Sequence, residues 1–394
     1  PVMIGWLAEL ISVKYVLVLS FVFCGIIAMI IGTSSATMGT IGVIMLGVAT
    51  IQGINPGIAA AAVISGSFIG QVCSLLADMV NYNASITGNT PSSAIKLCMP
   101  AEAIGAIVSI AFFFFIGMRM NAETTPESLE EINRLVETVF TCFKNSPIVL
   151  LPAVVLFLLV IKKVDVIPTL FTSGIVALLV GIFYQGFSIQ AAFSSAYSGF
   201  NTSMLNLPEG TELMPQFVSL VSRGGMFSMA DFLISIPIMM AYCGVLQTIG
   251  VAQVISETLL KDIKKAGNAI AVNTFASMFL CAATGSVMAP GVLASKMFTG
   301  VYERSGISRR NMVTSFQFSC TMGVLLFPWC AVTVYAQSIV GVRAIQFIPY
   351  LTLVYVPIIM NIIFGYLGIG VVKLKDDKLT EPLTVPPVAD TVGE

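Results

Sequence analysis

The chain has 394 residues, of which 57% are hydrophobic and only 10% are charged, and its mean hydropathy is +0.95. Soluble domains carry about 25% charged residues, so this composition excludes a soluble globular protein and indicates a chain that crosses a membrane several times. The formal net charge is -1, and no basic patch of the kind that binds nucleic acid is present. Histidine is absent and the eight cysteines are scattered without a C-x-x-C pair, as expected of buried thiols. We therefore expect no cofactor.

The first long apolar run ends at Gly32, where the segment GTSSATMGT interrupts it before apolar residues return from Ile41 to Ala49. A full membrane span needs about 20 residues, and this run does not end as a span does. The pattern predicts a re-entrant helical hairpin that turns on Gly, Ser and Thr and leaves the membrane on the side where it entered. The hairpin tip offers hydroxyl oxygens for a small cation at Thr33, Ser34, Ser35 and Thr37.

The next run, from Gly57 to Leu76, continues into polar residues and carries a carboxylate at Asp78. An ionised Asp in the middle of a membrane costs roughly 2.5 to 3.5 kcal/mol, so it is retained only where its surroundings offset that cost. We interpret this stretch as a spanning helix broken near its middle, with Asp78 and Asn81 available to coordinate an ion. The alternative is a carboxylate at a helix end that faces an aqueous loop.

A third run, from Leu97 to Met118, is expected to form a closing helix, and it contains Glu102 six residues after Lys96. This spacing favours an interfacial glutamate whose head group reaches water over a proton-carrying group inside the membrane. The acidic stretch that follows is expected to form an extracytoplasmic loop. Two further runs, Pro147 to Ile161 and Val166 to Phe187, are expected to form scaffold helices.

The second half of the chain repeats this order. The run from Ala266 to Ala283 meets TGSVMAP and turns apolar again from Gly291, which predicts a second re-entrant hairpin with Thr284 and Ser286 at its tip. Its exit arm contains Lys296, which would reach the interface or counter a bound carboxylate. A second broken span follows, Ser315 to Gln337, which is interrupted at Pro328 and carries Thr321.

A hairpin, a broken helix and a closing helix that occur twice predict an all-α polytopic membrane protein with inverted-topology repeats. It would contain two re-entrant helical hairpins and two broken transmembrane helices. Residues 1–118 would form the first repeat, residues 119–225 the acidic loop and scaffold helices, residues 226–372 the second repeat and residues 373–394 a cytoplasmic tail. In this arrangement most basic residues, including Lys162, Arg309 and Arg310, lie on the inside, as the positive-inside rule requires.

Polar positions inside apolar runs point to transport. The sequence contains no Ser/His/Asp set, no phosphate-cradling loop followed by Lys and no close carboxylate pair within the membrane, so we expect no enzyme. Hydroxyl and carbonyl oxygens suit sodium-like cations, whereas the N-termini of half-helices suit anionic groups. The remaining class is a non-transporting membrane component, in which small polar residues only allow helices to pack closely.

Five stretches carry a resemblance to a known family: GTSSATMGTIGV, AAAAVISGSFIGQVCSLLADMVN, LVSRGGMFSM, MFTGVYERSGISRRNM and LLFPW. In their order and spacing they resemble the NhaC-type sodium/proton antiporters of the ion-transporter superfamily. The resemblance implies a multi-pass cell-membrane protein with inverted repeats, re-entrant hairpins and an elevator-like moving domain. It also implies that a few N-terminal helices of the family are absent from this sequence, which begins at Pro1. We consider a homodimer as one assembly of such a chain, with the lipid bilayer and small ions as its other partners.

The departures from the family's pattern concern the site. Gln71, Ser286 and Phe318 stand where family members resembling this one usually carry acidic residues, and Ser74-Leu75 stands in place of Ser-Pro. We predict a sodium/proton antiporter in which Asp78 alternately holds a proton or sodium and exchange is one for one. A carboxylate or amino-acid exchanger on the same scaffold is the alternative. The predicted ion site comprises Thr33, Ser34, Ser35, Thr37, Asp78, Asn81, Thr284, Ser286 and Thr321.

Overall fold

The computed structural model describes residues 11–123, 137–162, 166–205, 225–230, 265–285 and 287–376, with gaps at 163 and 165 and isolated positions elsewhere. The described part is helical and contains no β-strand; one isolated bridge pairs Ile307 with Lys373. The helices are α1 (Val13–Ile31), α2 (Ser34–Ile51), α3 (Pro56–Cys73), α4 (Asp78–Thr87), α5 (Pro91–Glu123), α6 (Leu151–Ile161), α7 (Val166–Leu179), α8 (Ile189–Ser198), α9 (Ala266–Thr284), α10 (Met288–Arg304), α11 (Arg309–Leu326), α12 (Ala331–Val340), α13 (Ala344–Tyr350) and α14 (Thr352–Leu367).

Among the described residues, five helices are long and apolar enough to cross a membrane: α1, α2, α3, α5 and α9. Two bent pairs raise the number to seven if each pair is one span: α11 with α12, which bend by 54°, and α13 with α14, which bend by 50°. The predicted all-α polytopic membrane protein with broken helices is therefore confirmed. The inverted-topology relation between its halves, and the division into four segments, stay predictions.

The first hairpin turns at a glycine. Gly32 follows α1 in the left-handed region, with a φ of 84°, and donates its backbone N–H to Ala28 O at 2.8 Å. A Cβ at this position would lie 2.8 Å from the Cβ of Leu76, so the turn also packs closely against the break that follows α3. Only glycine meets both conditions without strain, which explains why the chain turns here.

The polar stretch after Gly32 is mostly helical and does not form an open tip. Helix α2 begins at Ser34, and the Thr37 and Thr40 hydroxyls donate to the carbonyl oxygens four residues before them, at 2.9 and 2.7 Å. Such bonds let a hydroxyl remain inside a helix in an apolar setting. The segment Met38–Gly42 is a π-helical turn, a local widening that is frequent at functional sites.

The first broken helix is interrupted where the sequence predicts it. Helix α3 ends at Cys73 and α4 begins at Asp78, so residues 74–77 are not helical. The Asn81 amide donates to the carbonyl oxygens of Leu75 and Ala77, at 3.1 and 2.7 Å. The bond to Leu75 satisfies a backbone carbonyl at the break, whereas Ala77 O also accepts from the Asn81 N–H at 3.1 Å.

The turn of the second hairpin lies against the second broken helix, just as Gly32 of the first hairpin packs against Leu76 in the first break. Helix α9 ends before Gly285, which has a φ of 64°, and α10 starts at Met288. The Trp329 Nε1 donates to Ala282 O at 2.8 Å, and the Ala331 N–H points at Gly285 O at 3.5 Å. Each hairpin turn thus lies against the break of a broken helix. Ser286 falls outside the described residues.

Neutral polar side chains join α9, α10, α11 and α14 beneath the second hairpin. The Asn273 amide donates to the Tyr302 hydroxyl at 3.0 Å, the Thr274 hydroxyl donates to Ser315 Oγ at 3.2 Å, and the Asn361 amide donates to Thr274 Oγ1 at 3.2 Å. Each of these five side chains is at most 5% exposed. Buried hydrogen bonds of this kind fix one arrangement of the four helices, because breaking any of them leaves a polar atom unsatisfied.

Candidate ion-binding site

A cavity of about 360 Å³ lies where the two hairpins and the two broken helices meet. Each of these four elements contributes part of the wall. Ser34 and Ser35 come from the first hairpin, Gln71 from α3, Asp78 from the start of α4, Val287 from the second hairpin, Thr321 from α11 and Tyr335 from α12. The structure therefore brings together Ser34, Ser35, Asp78 and Thr321, four of the residues predicted from the sequence.

A chain of buried amide and hydroxyl groups runs inward from this wall. The Gln71 amide donates to Ser34 Oγ at 3.2 Å, and the Gln317 amide donates to the backbone oxygen of Gln71 at 2.6 Å. The Asn83 amide donates to Gln317 Oε1 at 2.8 Å and to Thr321 Oγ1 at 3.1 Å. All five side chains are at most 7% exposed. The chain links the first hairpin to both broken helices.

Three buried oxygens of this chain and of Thr33 beside it have no hydrogen-bond partner among the described residues: Gln71 Oε1, Asn83 Oδ1 and Thr33 Oγ1. Leaving a buried acceptor unsatisfied costs about 1–3 kcal/mol, so such groups call for an explanation. A bound cation with a preference for oxygen ligands would satisfy acceptors of this kind. The described part of the chain thus holds buried, neutral oxygen ligands next to a cavity that also carries a carboxylate.

Asp78 is exposed, contrary to the expectation of a carboxylate buried in mid-membrane. It is the first residue of α4, and its Oδ1 accepts a hydrogen bond from the Met79 N–H at 2.9 Å. The helix N-terminus favours a negative charge at this position, because unsatisfied N–H groups point toward it. The carboxylate is therefore placed at a helix end, as in the alternative interpretation of the sequence, but that end faces the cavity.

The other predicted ligands that the structure describes lie away from the cavity wall. Thr33, Thr37, Asn81 and Thr284 are not among the lining residues of the cavity. Asn81 is exposed and bonds to the first break, while the Thr284 hydroxyl donates to Leu280 O at 2.8 Å. Sequence reasoning missed Asn83 and Gln317 as members of the site. In the sequence, the signal that could have identified them is an amide side chain within or beside an apolar run. In the structure, Gln317 also begins a π-helical turn.

The interpretation of Glu102 as an interfacial group was wrong. Its side chain is 2% exposed, whereas Lys96 is exposed. Six residues along a helix place two side chains about 120° apart around the axis, so Lys96 and Glu102 lie on different faces of α5. Lys296, for which the sequence left two roles open, is exposed on α10 and does not line the cavity.

An all-helical membrane protein whose broken helices surround a cavity that a carboxylate and several hydroxyl and amide side chains line has the architecture of a secondary transporter. The comparison with known families agrees with this class. The chain belongs to the Na+/H+ antiporter family, whose description matches residues 66–369.

The curated relatives are antiporters of different substrates. The chain is 28% identical to the Na(+)/H(+) antiporter NhaC of Alkalihalophilus pseudofirmus over 95% of this chain and 78% of that protein. It is 27% identical to the malate-2H(+)/Na(+)-lactate antiporter of Bacillus subtilis, over 93% and 76% of the two chains. It is 23% identical to the arginine/ornithine antiporter ArcD of Halobacterium salinarum, over 93% and 74%. The resemblance read from the sequence is confirmed, and these relatives are named as transporters.

Proposed function

We propose that the protein exchanges sodium ions for protons across the cell membrane, with Asp78 holding either ion in turn. The observation that carries this proposal is the cavity, in which the Asp78 carboxylate shares a wall with Ser34, Gln71 and Thr321. One negative charge with several neutral oxygens is a suitable ligand set for sodium. A proton competes with sodium for the carboxylate, because protonation removes the charge that attracts the cation.

The buried acceptors support the same proposal. Within the part of the chain that the structure describes, the amide oxygens of Gln71 and Asn83 have no hydrogen-bond partner, and they belong to the chain that starts at the cavity wall. A bound sodium ion would give these two oxygens the positively charged partner that they lack. Asp78 by itself would exchange one sodium ion for one proton in each turnover.

A carboxylate or amino-acid exchanger is the second candidate, because two relatives are named as transporters of such solutes. The cavity of about 360 Å³ is larger than a bare sodium ion needs. The charged side chain on the described wall is Asp78, which repels an anionic carboxylate, and Lys296 does not reach the cavity. This argues against a carboxylate exchanger but not against an exchanger of cationic amino acids. The wall favours a cation.

The experiment reconstitutes the full chain in proteoliposomes and follows internal pH after sodium is added outside. Asp78→Asn should reduce sodium-driven proton movement by about 10-fold or more, because a hydrogen bond or contact to a charged group is worth about 1.5–3 kcal/mol. Glu303→Gln, at an exposed position of α10, is the matched control and should retain wild-type exchange. Unchanged exchange in Asp78→Asn rejects the assigned role. Exchange of labelled malate or arginine without any sodium-driven pH change supports the second candidate.

A further inference from the structure

The carboxyl group of Glu102 is buried inside the helix bundle without a partner. The side chain is 2% exposed, and neither Oε1 nor Oε2 has a hydrogen-bond partner among the described residues. Among the described residues it is the one buried side chain of an ionisable Asp, Glu, Lys or Arg, and the other buried polar side chains are neutral. An ionised carboxylate in such a place lacks both water and a counter-charge, so the neutral, protonated form is favoured.

Glu102 lies behind the first broken helix. Its carboxyl group lies near the thiols of Cys73, the last residue of α3, and Cys98, one turn earlier on α5. On α3, Cys73 lies about 200° around the axis from Gln71, which faces the cavity. Glu102 and the cavity are therefore on opposite sides of the helix end at which the first break begins.

Helix α5 packs along α1 and α14 and also contacts α3, α4 and α11. Most titratable groups of these helices, apart from Cys73, have contacts elsewhere. Tyr355 and Tyr366 of α14 donate to Ile348 O and Asn268 Oδ1, Tyr82 of α4 donates to Met288 O, and Lys14 of α1 lies over the rings of Tyr15 and Phe114. Arg310 and Cys320 of α11 donate to Asn89 Oδ1 and Ser277 O, and Asp78 of α4 faces the cavity. The remaining groups, Cys24 of α1 and Arg309 of α11, are not hydrogen-bonded to Glu102. No cation among the described residues is paired with Glu102.

We propose that Glu102 is a second proton-binding group of the transporter, loaded in this conformation and emptied when the first broken helix moves. The inference rests on the proposed sodium/proton exchange and extends it. Asp78 carries one proton or one sodium ion, and Glu102 carries a further proton in the direction opposite to sodium. Two protons then move for each sodium ion, so each turnover transfers one net positive charge. This differs from the one-for-one exchange that the sequence predicts.

The decisive measurement is the voltage dependence of sodium accumulation in proteoliposomes at a fixed pH gradient. If each turnover moves one net charge, a membrane potential of 100 mV changes the equilibrium ratio of the sodium concentrations on the two sides of the membrane by about 50-fold. We expect the wild type to show this shift when a potassium diffusion potential is imposed. Glu102→Gln should lose the shift but should still accumulate sodium in response to a pH gradient. Glu102→Asp retains a carboxyl group and should retain the shift, as should the exposed control Glu303→Gln. A wild type that ignores voltage, or a Glu102→Gln variant that responds like the wild type, overturns the proposal.

An infrared measurement separates this proposal from the failure of sodium transport. Glutamine has nearly the shape of a protonated glutamate, so Glu102→Gln should fold and can be compared directly with the wild type. At neutral pH the wild type should show the C=O stretching band of a protonated carboxylic acid, and Glu102→Gln should lack it while Glu303→Gln keeps it. If the wild type and Glu102→Gln both fail to transport sodium, but the band is present in the wild type and absent from Glu102→Gln, then the proposed sodium exchange is rejected and proton binding by Glu102 is supported. If the band is missing from the wild type, proton binding by Glu102 is refuted.

Discussion

The Asn83 amide donates to the Gln317 side-chain oxygen at 2.8 Å, although 234 positions separate the two residues in the chain. Asn83 belongs to the second arm of the first broken helix, and Gln317 begins the π-helical turn Gln317–Met322 in the second. Gln317 also donates to the backbone of Gln71, before the first break. One glutamine thus bonds to both arms of the first broken helix, so Gln317 connects the two broken helices directly.

The first prediction tests this connection. Asn83→Ala and Gln317→Ala should each lower stability by about 1–3 kcal/mol, since each leaves a buried polar partner unsatisfied. The double variant should lose less than the sum of the two, because the shared bond can be lost only once. Thermal unfolding in detergent measures this, with Ser85→Ala, an exposed position of α4, as the control. Strictly additive losses would show that the bond contributes nothing.

The second prediction concerns the turn of the first hairpin. Gly32→Ala should destabilise the protein by at least about 1–2 kcal/mol, because alanine resists the left-handed φ of 84°. Its Cβ would also meet Leu76, so the break should shift and sodium affinity should fall. Gly39→Ala is the matched control, since a Cβ there meets nothing within 4 Å. Equal unfolding temperatures and equal sodium affinities in the two variants would contradict the prediction.

The third prediction concerns the buried polar cluster beneath the second hairpin. Tyr302→Phe removes the hydroxyl that accepts from Asn273 and bonds with Ser315 at 3.3 Å. The Asn273 amide would then be buried without this acceptor, at a cost of about 1–3 kcal/mol. Tyr366→Phe removes an exposed hydroxyl bonded to Asn268 and should change stability by less than about 0.5 kcal/mol. Comparable melting temperatures for the two variants would be evidence against a stabilising role of the cluster.

The fourth prediction concerns orientation in the membrane. We expect Lys375 on the cytoplasmic face and Lys144 on the opposite face, because the positive-inside rule places most basic residues with the C-terminal tail. Both residues are exposed, so single cysteines introduced there can be labelled by a membrane-impermeant reagent in intact cells. Lys144→Cys should react and Lys375→Cys should react only after lysis, with the wild type as control for native thiols. Labelling of both in intact cells would reject this topology.

The amino-acid sequence by itself determined the helical architecture and the places where helices stop. Apolar runs, the Gly32 turn, the polar residues after Leu76 and Pro328 act on the backbone within a few residues, so their effect is visible without knowing the fold. The breaks at residues 74–77 and between α11 and α12 are confirmed. The GTSSATMGT segment was harder to interpret, because its hydroxyls bond within α2 and keep it helical.

The tertiary structure alone decided which polar groups meet and which are buried. Asn83 and Gln317 pair only because packing brings distant helices together, and no local pattern encodes that contact. Glu102 is buried and Lys96 exposed because neighbouring helices cover one face of α5 and not the other. Asp78 faces a cavity for the same reason, since the wall is supplied by four separate elements. Hydropathy and turn residues fix local conformation, whereas the environment of a side chain depends on what the rest of the chain places beside it.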